Sequence, residues 1–500
     1  MTNSAVIIGG GLGGLFTGAF LAKNGYIVTI LDKNHTIGGG LQCFNRRDKS
    51  FETGMHILGG FRPGGNLYQM CKYLGILDSL KIHHIDEECM DEIYYHKSNE
   101  VFKIPSGKER FIERLSLYFP HEAVGIRDYV DMLYQITDEI SLFHLGQGPY
   151  ELLFYTELAS WSADRFIAHF VSDPKLQEIL AYLNPIYGGV KGHSPAYVHA
   201  LINVLYINGA SRFVDGSQHF ADALAQVILD NGGVVMNSAE VSKIIVDNNS
   251  ISSVITSDGR SFSADVFVSS IHPLELIRMM SPVAPFSRFF IKRLNEIPVS
   301  FSAFGLYIDL KPDCFPYIDH TCYFMKDFGL MWNQDKANLD FWPNGFMYMT
   351  PPDSGQGKFA NRLLVHAIMS YDMVRMWEDS SVGHRGKDYV RWKELCTNKI
   401  LDDLDALYPG IRNMINHIYS ASPLTIRDFY HTKEGAMFGY IKDCDDLFFS
   451  RISVKTKVPN LFLTGQNINL HGICGVPLTA LLTTNAILGS NLLVNQIKNA

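Results

Sequence analysis

Gly9, Gly11 and Gly14 form G-x-G-x-x-G immediately after the apolar run from Ala5 to Ile8. Leu15, Ala19, Phe20 and Ala22 then recur at helical spacing. The chemistry this spacing suits is the binding of a diphosphate. Gly9 permits a tight turn, Gly11 lets the backbone approach an anion, and Gly14 lets helix lie close on strand. Leu12 and Gly13 fall in the first helical turn, where unpaired N–H groups and the helix dipole favour negative charge. Gly25 ends the helix, the residues from Tyr26 to Leu31 read as a second buried strand, and Asp32 closes it. An acid at that tip, with Lys33 beside it, is placed to accept the ribose hydroxyls of an adenosine. Strand, glycine turn, helix, strand and acid in this order predict a dinucleotide-binding unit.

The elements that must carry such a site follow along the chain. Gly38, Gly39 and Gly40 come soon after Asp32 and again let backbone pass close to a flat or anionic group. Helical spacing dominates from about Leu67 to Ile207, around Tyr68–Leu77, Phe111–Tyr118, Tyr129–Phe143 and Leu176–Leu183, and predicts an inserted, mostly helical cap. A loop at 186–195 leads into an uncharged helix from Ala196 to Ile207. From Arg212 to Pro273 the pattern is loop, helix, Gly-Gly turn, strand and hairpin, with Phe220, Leu224, Val227 and Ile228 on one helix face. The segments 304–310 and 363–369 read as strands forming a second cavity wall. Leu401–Ile418 reads as an amphipathic helix, and Tyr430–Gly439 as a loop returning to the site. The chain closes with a strand, a loop and a buried helix beginning near Gly475.

Composition narrows the function classes. With 500 residues, 47% of them hydrophobic, the chain has material for two or three domains. A formal net charge of −8 offers no broad basic surface and argues against nucleic acid as a partner. The eight cysteines lack zinc spacing, which predicts reduced thiols and no metal site. Gly192–Ser211 and Val458–Ile497 carry no charged side chain, but their glycines, prolines and polar residues predict buried interior rather than membrane spans. A nucleotide motif this near the first residue leaves no room for a signal peptide, so the expected location is cytoplasmic. Arg288–Arg293, which mixes basic and aromatic residues, reads either as a solvated helix face or as the candidate for peripheral membrane contact.

Three motifs carry a resemblance. H-T-I-G-G-G-L-Q at 35–42 with F-E-T-G-M-H at 51–56, the stretch from Arg212 to Pro273, and N-L-F-L-T-G-Q-N-I-N-L-H-G-I-C-G-V-P at 460–477 resemble the FAD-dependent phytoene desaturase, carotenoid isomerase and retinol saturase family. Glu52 stands where that family usually has Asp. Gly465-Gln466 replaces the usual Gly-Asp pair and is similar to the Thr-Gly-Gln of the saturase branch. The resemblance implies an α/β fold: a Rossmann-like FAD-binding domain of the glutathione reductase and amine oxidase type, with a discontinuous α+β substrate domain and helical cap. The FAD domain would comprise 1–66, 211–281 and 456–500, the cap 67–210, and the substrate sheet and helices 282–455. Gly54, Met55 and His56 would line the flavin, the backbone at Val241 would lie near the adenine, and Gly465 and Gln466 would meet the ribityl chain and pyrophosphate. Gly475, Val476 and Pro477 would aim a helix N-terminus at the flavin ring.

The implied activity is hydride exchange between flavin N5 and a carbon–carbon double bond of an apolar polyene or isoprenoid lipid, as saturase, desaturase or isomerase. His56, Tyr187, His199 and His471 are the candidates for proton transfer or positioning, with His193 beside them in the loop. A histidine on an apolar helix is also a common core residue. NAD(P)H stays open as an external reductant, although there is no second G-x-G-x-x-G to hold it, and the electron donor is otherwise unassigned. An amine oxidase-like flavoenzyme and a prenyl-binding carrier of the Rab GDP-dissociation-inhibitor type are the alternatives on this architecture.

Overall fold

A computed structural model describes residues 3–146, 156–281, 286–334 and 338–500. The expected boundary after residue 281 therefore abuts 282–285, which lie outside the described residues. The opening segment folds as its spacing predicts. Ser4–Ile8 is a strand with Ala5–Ile8 buried, Leu12–Lys23 is the opening helix, and Ile27–Leu31 is the next strand. The opening helix buries ten of its twelve residues. It does so because it lies between the sheet and two other helices, so no face is left for polar residues. Gly18 marks how close that packing is: a Cβ there would come within 2.9 Å of Ile228 Cδ1.

Five parallel strands make the first sheet, in the order Val234–Met236, Ile27–Leu31, Ser4–Ile8, Val266–Ser269, Leu461–Leu463. Its members come from the start, middle and end of the chain. One face (Ala5, Ile7, Val28, Ile30, Val268) packs on helices. The other (Val6, Ile8, Leu31, Phe267, Leu461) packs largely on a second, four-stranded sheet that includes Val241–Asp247 and Ser250–Thr256. Both faces are thus covered, which explains the unbroken apolar runs. The helix Gln218–Asp230 presents Phe220, Leu224, Val227 and Ile228 to the core, as its spacing predicts. The fold is thus α/β, with a Rossmann-like dinucleotide-binding sheet.

A seven-stranded sheet stands beyond it, ordered Ile415–Ala421, Ser302–Leu310, Arg362–Met369, Gly345–Met349, Thr321–Met325, Asp91–Tyr95, Glu100–Ile104. All neighbours are antiparallel except Thr321–Met325 with Asp91–Tyr95. Two sequence expectations need correction here. The largely helical stretch after Leu67 also contains the hairpin Asp91–Tyr95 and Glu100–Ile104, which turns at Asn99 with φ 54° and joins this sheet. Leu401–Ile418 is not one helix. Gly386–Leu407 is helical, Pro409 and Gly410 (φ 83°) stop it, and Ile415–Ala421 pairs as an edge strand with Ser302–Leu310. No helix among the described residues is long and apolar enough to cross a membrane.

Candidate functional site

The opening helix begins at Gly11 with no side-chain cap and no acidic residue in its first turn. Its leading N–H groups have no intrahelical acceptor, and they face a cleft walled by glycine. Gly9 holds φ 97° in the turn. A side chain at Gly14 would collide with the Gly9 carbonyl, so Gly14 packs rather than lines. Opposite, Gly38 (φ 115°) donates its N–H to Gly10 O at 2.8 Å, and Gly39 (φ 56°) approaches Gly11 so closely that a Cβ would lie 3.1 Å from Gly11 Cα. Gly40 has open space where a side chain would go. Asp32 is buried, with Oδ2 accepting from Gly10 N at 2.6 Å and Oδ1 from Asn34 N at 2.8 Å. Burial raises its pKa and the two amide bonds oppose the shift. Each oxygen keeps a second lone pair for a ligand hydroxyl.

The other end is built by the closing helix. It runs Gly472–Leu488, starting three residues before the expected Gly475, again with no side-chain cap and no acid in its first turn. The two helices meet closely, since a Cβ on Gly13 would lie 2.8 Å from Gly465 Cα. Gly465 takes φ 96° to make that approach. Gly475 packs on Leu470, and Pro477 lies inside the helix near its start.

A single cavity of about 1210 Å³ touches both helix ends. Of the expected site residues, Gly9, Gly11, Leu12, Gly13, Asp32, Lys33, Gly39 and Gly40 line its first part. Gly54, Met55, His56, Val241, Gly465, Gln466, Gly475, Val476 and His471 line the rest. Gly14, Gly38 and Pro477 are not on the wall and serve the backbone behind it. An apolar limb follows the helix Ala196–Ile207, whose Val198, Leu201, Ile202 and Leu205 form one stripe facing the cavity. Met347, Ala367 and Ile368 of the large sheet also line it.

Polar groups on this wall converge on a few points. His56 Nδ1 lies 2.9 Å from Glu52 Oε1, and Glu52 is only 3% exposed. The carboxylate can only accept, so Nδ1 carries the hydrogen and Nε2 is left for the cavity. His366, cross-strand partner of Gly305, lays its ring where a Gly305 side chain would stand, 3.1 Å from that Cβ position. Its Nε2 is buried without a partner, and burial pulls its pKa to about 4 with the His56 charge adding to the shift. His471 and His272 also line the cavity with unpartnered Nε2 atoms, each drawn to about 4 by burial. Tyr307 donates to Thr53 O at 2.8 Å beside them. Sequence reasoning missed His272, Lys442 and His366; the last lies in a strand buried on both faces, where alternation cannot tell wall from core.

Three candidates are not brought to the cavity. His199 sits on the other face of its helix, fully buried, bonded to Tyr129 Oη at 2.7 Å and Tyr187 Oη at 3.2 Å. Burial lowers its pKa to about 3. It is a core group, and Tyr187 with it. His193 is exposed and pairs with Asp443 at 3.1 Å. Cys89, Glu92 and His320, and likewise His193, Asp443 and Asp445, come within ligand distance of one another, and neither group lines the cavity.

Residues 7–74 match the family model of the NAD(P)-binding Rossmann-like domain. A dinucleotide is the cofactor class this match and the fold imply. An all-trans-retinol 13,14-reductase of Rattus norvegicus is 25% identical, over 98% of this chain and 86% of its own. A chloroplastic prolycopene isomerase 1 of an Oncidium hybrid cultivar is 24% identical over 86% of this chain and 74% of its own. A 4,4'-diapophytoene desaturase of Staphylococcus aureus is 21% identical over 94% of this chain and 95% of its own. Among solved structures, an oxidoreductase from Methanosarcina mazei superposes with TM-score 0.62 at 18% identity, covering 97% of this chain and all of the other, and shares the fold. The chain is therefore a homologue, over nearly its whole length, of the retinol reductases, carotenoid isomerases and carotenoid desaturases that its motifs resemble.

Proposed function

We propose that this chain is an FAD-dependent oxidoreductase acting on a carbon–carbon double bond of an apolar polyene or isoprenoid lipid. The observation that carries the reading is the single cavity that joins a diphosphate cradle to an aliphatic limb. The residues present fit the cofactor: Asp32 suits the ribose of the adenosine half, and the uncapped opening helix with Gly11, Gly39 and Gly40 suits the diphosphate. The Gly465-Gln466 turn suits the ribityl chain, and the uncapped closing helix suits the ring. When bound, the flavin supplies a two-electron hydride donor and acceptor.

The chain's own residues do the remainder. Val198, Leu201, Ile202 and Leu205 exclude water and hold an apolar substrate. His56, oriented by Glu52, presents Nε2 to the cavity, and His366 faces the same space, so a proton can be given to or taken from the alkene carbon that does not exchange hydride. Which polyene, which direction of reaction and which electron donor follow from experiment. The helix Arg288–Glu296, with Phe289 77% exposed among Arg288 and Lys292, is the segment we assign to peripheral membrane contact.

The test is anaerobic. Photoreduced, flavin-loaded protein mixed with conjugated polyenes should recover its oxidised absorption as one double bond is lost, or oxidised protein should bleach as one is gained. Isomerisation without net change in the flavin spectrum fits the same reading. Bleaching by an amine, with no change in any polyene offered, would replace it with the amine oxidase alternative.

A further inference from the structure

Lys442 is a buried cation with no part in the proton transfer or the substrate limb. It is 9% exposed and lines the cavity. Its Nζ donates to one neutral acceptor, Ser450 O, at 3.2 Å. The charge acting on it is that of Arg451, which is of the same sign. Burial and that repulsion together draw its pKa down to about 8. A buried ammonium spends desolvation energy that an opposite charge would offset, and among the described residues no carboxylate pairs with it. Two of its three hydrogens remain for something in the cavity.

Its position is rigid and specific. Gly439 O accepts from Ser300 N at 2.9 Å and Ile441 N donates to Pro298 O at 2.9 Å, so the main chain before Lys442 is laced to the segment 298–300. Lys442 stands beside His471, which immediately precedes the closing helix without capping it and feels the Lys442 charge. Asn467, 8% exposed on the same wall, also has a buried, unpartnered Oδ1. A side-chain cation and an uncapped helix N-terminus thus converge on one corner of the cavity. Both favour negative charge there.

We propose that Lys442 and the amino end of the closing helix jointly hold the negative charge that two-electron reduction leaves on the cofactor ring, so that Lys442 sets how readily the ring accepts hydride. This rests on the FAD reading above. A hydride delivered to the ring would bring two electrons with only one proton and so leave one net negative charge, which is the anion this corner lacks. Lys442 is in this sense the charge partner of the cofactor rather than of the substrate.

The probe is sulfite, which adds through its sulfur lone pair to flavin N5 and leaves the same negative charge on the ring. Flavin-loaded wild type, Lys442→Met and Lys442→Arg are titrated with sulfite and followed by loss of flavin absorbance. The expected result is at least about tenfold weaker sulfite binding in Lys442→Met, the effect of one charge at close range in a partly buried site, with most of the affinity kept in Lys442→Arg. Equal affinity in wild type and Lys442→Met overturns the inference alone. Unchanged sulfite affinity with weakened binding of a long-chain fatty acid also overturns it, and assigns the cation to a substrate carboxylate. If Lys442→Met does not fold, wild type decides. Photoreduced at a mildly acid pH where free reduced riboflavin is largely neutral, it should show the anionic reduced spectrum, and the neutral one overturns the inference. A wild-type protein that takes up no flavin overturns the cofactor reading and this inference with it.

Discussion

Nδ1 of His56 lies 2.9 Å from Oε1 of Glu52, four residues earlier, and the pair faces His366 on a strand more than three hundred residues further along the chain. Glu52 belongs to the short strand Lys49–Glu52, so the carboxylate that orients the imidazole is itself fixed by sheet pairing with Cys43. Removing either partner should therefore act on proton transfer and leave cofactor binding intact. His56→Asn is expected to lower turnover by about 10²- to 10⁴-fold with flavin content unchanged, and Glu52→Gln by less, since it keeps a hydrogen-bonding group. Turnover per bound flavin is the measurement.

Gly11→Val should abolish flavin retention. A Cβ at Gly11 meets only Gly39 Cα, at 3.9 Å, so the fold accommodates the branch while its methyls enter the diphosphate space. The thermal midpoint of the apoprotein should stay close to that of wild-type apoprotein, and flavin content after dialysis should fall to background.

Gly305→Val tests the seat of His366. A side chain there occupies the place of the His366 ring, 3.1 Å away at Cβ, and must expel it. The expected outcome is loss of activity with retained flavin and retained binding of the apolar ligand. His366→Ala should reproduce it without crowding the strand.

The nucleotide half of the site is legible in the sequence because its parts are contiguous: strand, turn, helix and acid follow one another from Ser4 to Asp32. The aliphatic stripe on Ala196–Ile207 is only half legible. The helix ends where its spacing predicts, but which side meets the cavity depends on the packing of Ala123–Asp138, whose Tyr129 claims His199. His366 and Lys442 are invisible to any local pattern, since sheet register and a loop crossing place them. The strand Ile415–Ala421 was hidden because Leu401, Leu404 and Ile411 continue a helical rhythm past Pro409 and Gly410, where the backbone breaks.

Acid stability carries a sign that follows from the buried histidines. His199 is lowered to about 3, and His272, His366 and His471 to about 4, all by burial, from an ordinary 6.5. The unfolded chain takes up protons at these sites below about pH 6.5 while the folded protein does not. Stability should therefore fall as pH drops from about 6.5 toward 4, and His199→Leu should flatten that dependence. Because His199 lies off the cavity, the same variant should keep its activity per bound flavin. Thermal midpoints across that pH range, with and without the substitution, check both statements.

The most direct measurement of the central claim is the absorption spectrum of the full chain, purified from its native host and quantified for flavin after denaturation. One isoalloxazine seated between the two uncapped helices predicts a yellow protein with close to one FAD per chain, and a colourless Gly11→Val. A colourless wild type that binds no added FAD, or flavin retained in full by Gly11→Val, would contradict it.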